Sequence, residues 1–562
     1  MTSVGTAPVA AREPVGHPRE RAASAGGELV GNSLTGSFWT LVSRGSGLVR
    51  IVVVGGVLGA TYLGNTYQAI NALPNLIYYQ LLAGSLFVSL LVPPLIARIR
   101  AGDTAGADAL VRGFLGSTLA IGIAAAAMLI AVSPVIVRLL ALGVDDAGSA
   151  AAQRRVGFLL VLMFAPQILF YVVAGTGAAV MNACGRFALA AGAPTAENIG
   201  IIVTLVIVGS LYGAHISLAT IPSTEVLLLG IGTTAAVGVH AALQWLGARR
   251  QRIDMRPKAG WRDPEVSVVL RGMRATLAYT GLAAFQLFVT IIVANRVAGG
   301  LVAFQLALNF FYLPTAIVTW PIARALVPRL ARFHQTGQMR EFRDEFGHAV
   351  SLASFVAIPV AVTYACASSA IANVVTFGKF DTHLGTTYVE MSLIGLSAAV
   401  IGETWFTLSS YALYSQQDLK RPLRGMALRV ATTMALLPFA FVVHVAWTLL
   451  AIGLAISGGS FVGAATLYRR ATGRLPQSGY SLGSALGRTT LSSAAMLVPA
   501  AAVWFALERL PESKEGSIGR LVLAGAVGAA TFVALQVRLK APEIGLLRPA
   551  VAAFARKVSV AK

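Results

Sequence analysis

Two arginines, Arg44 and Arg50, stand inside the first long apolar stretch of the chain. On a helix they lie about 9 Å apart along the axis and point about 120° apart. Both can reach a wide cavity, but they do not form one stripe. Charge at membrane depth is costly and marks a functional position by default. A guanidinium grips phosphate oxygens bidentately, so the chemistry on offer is capture of an anionic, phosphate-bearing headgroup. The competing reading for Arg50 is an internal ion pair, with Glu197, Glu390 and Glu403 as candidate acids. Asn65, Asn71, Asn75, Gln286 and Asn309 could line the same cavity or bond between helices. No GxxxxGK[ST] loop is present, so transport would run on an ion gradient, the membrane potential or the fate of the product. Cys184 and Cys366 are isolated thiols without a CxxC or His/Cys cluster, and no cofactor or metal is expected.

The elements that carry these residues are apolar and numerous. Of 562 residues, 56% are hydrophobic and only 12% charged, against about 25% charged in a soluble domain. That excludes a large soluble enzyme and points to an all-α polytopic membrane protein. A span needs about 20 apolar residues to cross ~30 Å of hydrocarbon. Fourteen segments qualify: 35–59, 66–97, 110–141, 156–182, 188–213, 224–247, 273–298, 301–328, 346–376, 385–414, 424–443, 446–467, 485–508 and 518–538. Only a short segment with His444 separates 424–443 from 446–467.

Charge tests the count independently. The net charge is +21. With the amino terminus inside, the inner loops hold Arg98, Arg100, Arg186, the cluster Arg249 to Arg262, Arg329 to Arg343, Lys420, Arg421, Arg469, Arg470 and Arg474. The outer loops hold little beyond Arg154, Arg155, Arg296, Lys379, Arg509 and Lys514. The bias persists through the whole alternation, which places both termini in the cytoplasm. Basic residues that alternate with spans form no single face for nucleic acid.

An internal echo divides the chain. Leu73-Pro74-Asn75-Leu76-Ile77 precedes Leu91-Val92-Pro93, and Leu313-Pro314-Thr315-Ala316-Ile317 precedes Leu326-Val327-Pro328. Each falls in the second span of a six-span block, and the even number of spans between them makes the repeat parallel. The expected organisation is a disordered cytoplasmic tail over 1–32, an amino lobe over 33–247, and a basic inter-lobe loop over 248–272. A carboxy lobe over 273–470, two extra spans over 471–540 and a basic tail over 541–562 complete it. Pro74, Pro166, Pro194, Pro314 and Pro359 mark bends.

Several local patterns resemble the MurJ/MviN family of lipid II flippases, within the multidrug/oligosaccharidyl-lipid/polysaccharide exporter superfamily. They are Ser43-Arg44-x-x-Gly47-x-x-Arg50, Leu73-Pro74-Asn75-Leu76, Asn182-x-x-x-Arg186-Phe187, Ala193-Pro194-Thr195 with Asn198-Ile199, and Phe377-Gly378-Lys379-Phe380. Tyr414-Ser415-x-Gln417-Asp418-x-Lys420-x-Pro422 is the most specific. The resemblance covers about 35–540. It implies a fourteen-helix flippase of the bacterial plasma membrane that moves an undecaprenyl-pyrophosphate-linked peptidoglycan precursor outward by alternating access. It also implies a cationic cavity for the pyrophosphate and sugar, and a groove for the lipid tail near the last two spans.

Against the family pattern, Ile51, Asn65 and Ala83 replace acids, while Tyr78, Tyr79 and Asn309 replace arginines. The polar residues of the family's sodium site in span eleven are not evident. The expected substrate-binding set is therefore Arg44, Arg50, Asn65, Asn75, Tyr79 and Asn309. Expected partners are the lipid-linked glycan pyrophosphate, membrane lipids and cell-wall synthesis proteins. Two other readings stay open: a flippase for another polyprenyl-linked glycan, and a non-transporting cell-envelope scaffold that recruits partners through loop 248–272 and the tails.

Overall fold

The chain is described here by a computed structural model covering residues 18–78, 91–144, 146–213, 218–262, 264–473, 475–477, 479–507 and 514–545. Among these, every regular element is helical, and thirteen helices are long and apolar enough to cross a membrane. They coincide one for one with thirteen of the expected spans. The remaining one, the second, is represented by helices Tyr62–Leu76 and Val92–Arg100, with 79–90 outside the described residues. The break near His444 is real: helix Phe439–Val442 ends there and helix Thr448–Thr472 begins after one short turn. Some spans overshoot the bilayer. Thr104–Leu140 has 37 residues, about 55 Å of helix.

Helix pairing makes the repeat visible. In the amino lobe the first span packs on the fifth, the second, third and sixth on the fourth, and the fifth on the sixth. In the carboxy lobe the seventh packs on the eleventh, the eighth, ninth and twelfth on the tenth, and the eleventh on the twelfth. The two lobes thus share one parallel helix order. The proline echo sits at matching places: a wide π-helical turn follows Pro74 at Ile77–Tyr78 and follows Pro314 at Thr315–Thr319. Proline supplies no N–H and its ring crowds the carbonyl four residues back, so the ladder re-forms with a wider turn. Pro166 breaks the fourth span into Ala147–Phe164 and Gln167–Ala183.

Lipid gives helices no hydrophobic drive to associate, so small residues and close contact must do it. Gly395 of the tenth span and Gly453 of the twelfth meet backbone to backbone, and a Cβ on Gly453 would fall 2.6 Å from the Gly395 carbonyl carbon. The two last spans, Leu482–Ala506 and Lys514–Arg538, pack on the ninth around Phe355, Met496 and Phe532.

Two expected boundaries move, and the tail begins in contact with the helices. The first helix starts at Pro18, so 18–32 is helical and not a disordered tail. Proline is well placed at a first helical position, and Glu20, Ala22 and Ala23 behind it favour helix. The inter-lobe loop is shorter than 248–272, because a helix resumes at Pro264. What remains is strapped to the third span: Arg112 pairs with Asp254 at 3.3 Å, and Lys258 N–H donates to the Arg112 carbonyl at 3.0 Å. The tail begins docked. Glu543 is buried and accepts from Ser351 Oγ at 2.5 Å and Tyr480 OH at 3.0 Å. Residues 546–562 lie outside the described residues.

Candidate functional site

The first span runs Phe38–Leu58 and presents its two arginines to different surroundings. Arg44 is exposed, and its guanidinium lies 5.8 Å from the ring centre of Trp320, a residue of the opposite lobe. That places Arg44 between the lobes. Beside it, Ser46 Oγ and the Ser43 carbonyl accept from the Asn198 side chain at 2.9 and 3.3 Å, which ties this motif to the fifth span.

Arg50 turns into the amino lobe. Its Nη1 stands 3.8 Å from Glu197 Oε1. Of the two expectations for Arg50, the internal ion pair is therefore the arrangement seen, and Glu197 is the acid. The pair is loose on the arginine side. Glu197 Oε1 accepts a 2.9 Å hydrogen bond from Tyr171 OH, and Oε2 lies 2.8 Å from His240 Nδ1. The Arg50 side chain keeps one-fifth of its surface, against 10% for Glu197 and 5% for His240. Spans one, four, five and six thus converge on one carboxylate. Tyr67 of the second span closes the group with its hydroxyl 2.8 Å from Thr233 Oγ1.

The asparagines do other work. Asn65 is fully buried with both ends of its amide used. Its Nδ2 donates to the Val297 carbonyl at 2.7 Å and the Asn295 carbonyl at 3.4 Å, while Oδ1 accepts from Leu301 N–H at 3.1 Å. No atom is left for a headgroup, so Asn65 is a tie between lobes. Around it, Tyr62 OH donates to the Arg296 carbonyl, and Gly299 N–H to the Thr61 carbonyl, both at 3.2 Å. Asn295 in turn bonds Gln153 and the Leu140 carbonyl.

At the same end, residues Phe377–Phe380 of the carboxy lobe lie across the glycines of the first span. Gly378 has φ +55°, and a Cβ there would sit 2.6 Å from the Gly56 carbonyl oxygen. Lys379 Nζ donates to the Gly213 carbonyl at 2.6 Å. Burial holds that ammonium below the usual lysine range, against the pull of Glu225. The lobes are latched together at this end.

Asn75 donates to the Asn71 carbonyl at 3.4 Å and Asn309 to the Gln305 carbonyl at 2.8 Å, each one turn back along its own helix. Both keep partial exposure. Tyr79 and Ala83 lie outside the described residues, while Tyr78 is buried and stacked on Tyr171 at 5.6 Å.

Sequence reasoning missed a second buried pair. In the carboxy lobe Arg429 Nη1 donates to Glu403 Oε2 at 2.5 Å, with the Phe406 ring 5.1 Å from the guanidinium. Both residues were visible as charges inside apolar segments, the only signal available for them. His240 and Tyr171 carried no such mark.

The family profile described as "Lipid II flippase MurJ" matches residues 54–524. A probable lipid II flippase MurJ from Vibrio cholerae serotype O1 is 24% identical over 461 residues, covering 78% of this chain and 82% of the relative. A lipid II flippase MurJ from Burkholderia cenocepacia is 24% identical over 424 residues, with 73% and 77% covered. Among solved structures, a lipid II flippase MurJ in an inward closed conformation superposes with a TM-score of 0.67 at 15% identity, covering 90% of this chain and 99% of the other. An inward-facing multidrug resistance MATE family transporter of the MOP superfamily gives 0.61 at 16% identity, with 79% and 95% covered. At these identities the structural likeness concerns the fold.

Proposed function

The chain belongs to the lipid II flippase MurJ family, and from that premise we propose that it carries the lipid-linked peptidoglycan precursor from the inner to the outer leaflet. The observation that carries this reading is the pairing of two parallel lobes, latched at one end, with Arg44 facing Trp320 between them. The latch sits at the end opposite the basic loops, which the positive-inside bias assigns to the outside. In that orientation both termini are cytoplasmic and the latched state receives substrate from within.

The mechanism follows from the residues. Arg44 supplies a guanidinium between the lobes for the pyrophosphate. Arg50 supplies the second by exchanging Glu197 for a phosphate oxygen. It is the loosest of the three groups on that carboxylate, and Tyr171 and His240 keep Glu197 hydrogen-bonded when it leaves. The two guanidinium groups hold charge that lipid alone would reject. The polyprenyl tail stays outside, along the exposed Leu491, Val498, Phe505 and Val522 of the last two spans. Release outward requires the Asn65 latch to part and the opposite ends of the lobes to close. Membrane lipids are immediate neighbours, and cell-wall synthesis proteins are the natural partners for such a cargo.

The test is complementation of a flippase-depleted bacterium. Wild type rescues growth, while Arg50→Ala and Arg44→Ala do not. Full growth with Arg50→Ala, where wild type also rescues, removes Arg50 from the mechanism. Tyr78, standing where the family has arginine and buried against Tyr171, favours a second reading: another polyprenyl-linked glycan as cargo. Absence of rescue by wild type, with that glycan intermediate accumulating in a deletion strain, would select it.

A further inference from the structure

We propose that Glu197 and His240 form a proton-exchange site inside the amino lobe, loaded when Arg50 turns from Glu197 to the substrate phosphate. The inference rests on the functional reading above, since it needs Arg50 to meet a phosphate. Its ground is the geometry of one carboxylate. Glu197 has three polar neighbours on three other spans: Arg50 on the first at 3.8 Å, Tyr171 on the fourth at 2.9 Å and His240 on the sixth at 2.8 Å. Tyr67 of the second span lies within electrostatic reach of both Arg50 and Glu197. Tyr78 stacks on Tyr171 at 5.6 Å. Among the described residues these are the titratable and charged groups around it.

The charge balance then dictates the coupling. With Arg50 in place, a cation beside Glu197 favours the ionised carboxylate. When Arg50 leaves, the acid would stand in a nearly closed pocket with only the His240 imidazole and the Tyr171 phenol against it. A buried charge stripped of its partner is strongly disfavoured. The cheapest remedy is a proton on the Glu197–His240 pair, where imidazole nitrogen and carboxylate oxygen already share a 2.8 Å contact. No covalent bond changes: one proton arrives as the guanidinium departs, so the net charge around Glu197 is preserved. By linkage the reverse also holds, and protonating the pair frees Arg50 and tightens headgroup binding.

The sign has a consequence. Proton and headgroup load together and leave together. A gradient that is acid outside therefore does not drive outward movement through this site. The pair acts as a charge balancer that lets Arg50 move, and the drive for transport comes from elsewhere.

The test uses the full chain in lipid nanodiscs with undecaprenyl pyrophosphate as the probe. Calorimetric titration near neutral pH, in two buffers with different heats of ionisation, counts protons taken up per probe bound. Wild type should take up more than Glu197→Gln, by up to about one proton. The probe's own phosphate titration is common to both and cancels in the difference. Glu197→Ala is the second variant should Glu197→Gln fail to fold, and it too should lose the extra uptake. Equal counts in wild type and a folded variant overturn the proposal. If Arg50→Ala binds the probe as tightly as wild type, the functional reading fails instead. Weaker binding by Arg50→Ala with equal proton counts leaves that reading standing and sinks only this one.

Discussion

Replacing Asn65 by alanine should open the latched end of the molecule. The side chain makes three contacts, to the Val297 and Asn295 carbonyls and the Leu301 N–H. Leu301 and Val297 are both buried, at 0% and 2% exposure. In the latched state Asn65→Ala leaves the Leu301 donor without a partner, while the Val297 carbonyl keeps the Gly300 N–H at 2.8 Å. A buried polar group left unsatisfied costs about 1–3 kcal/mol. In the parted state the same donor meets water and costs little. Taking the middle of that range for the one orphaned donor, the latched state loses ~2 kcal/mol relative to the open one. That shifts the ratio of open to latched molecules by roughly 30-fold. The assay is a distance distribution between spin labels on the two lobes. Positions 148 and 384 are exposed at this end, one in each lobe. Cys184 and Cys366 are the only native thiols, so serine at both gives a clean background. The long-distance population should grow at the expense of the short one. A ratio within threefold of the parent protein would mean that Asn65 does not hold the lobes together.

Two further outcomes follow from the buried pair and from the thiols. Glu403→Gln leaves Arg429 buried without its carboxylate, a loss of about 3–5 kcal/mol. A thermal melt in detergent should show a clear fall in Tm, largely restored by adding Arg429→Met, and an unchanged melt of the single variant refutes the pairing. Cys366 is exposed near the latched end and Cys184 is half-buried near the basic end. In intact cells a membrane-impermeant maleimide should modify Cys366 and spare Cys184, and the opposite pattern would invert the topology. In opened membranes Cys184 should react slowly at neutral pH and faster as pH rises, because burial pushes its thiol up. A rate insensitive to pH contradicts that environment.

The span pattern was legible because its signal is local. A run of apolar residues and the charge at its two ends are read within one segment, which is why even the narrow break at His444 was recovered. The proline echo was legible for the same reason, and the π-helical turns after Pro74 and Pro314 are its structural consequence. The site was legible only in part. Arg44 and Arg50 stand out as charges in lipid, but the partner each one chooses depends on helices far away in sequence. Asn65 looked like a cavity residue because an amide is equally suited to a headgroup or a carbonyl. Its register against residues 295–301 decides between them, and no local pattern carries that information. His240 escaped notice because a single histidine in an apolar segment is unremarkable until its neighbour is known. Helix 18–32 was hidden by composition: Ala, Gly, Ser and Arg suit a loose tail as well as a helix.

The Asn65 latch also sets an order of events during biosynthesis. Its acceptor at Val297 lies 232 residues downstream. At about 5–20 residues per second, the ribosome needs roughly 12–46 s to make that partner. Throughout this interval the amino lobe can insert and pack its own helices, yet its inter-lobe amide has no native partner to meet. Every copy is therefore born unlatched, and the closed end is a late product of assembly. Truncated chains that stop before the eighth span should be recognisable to quality-control proteases by this one exposed seam.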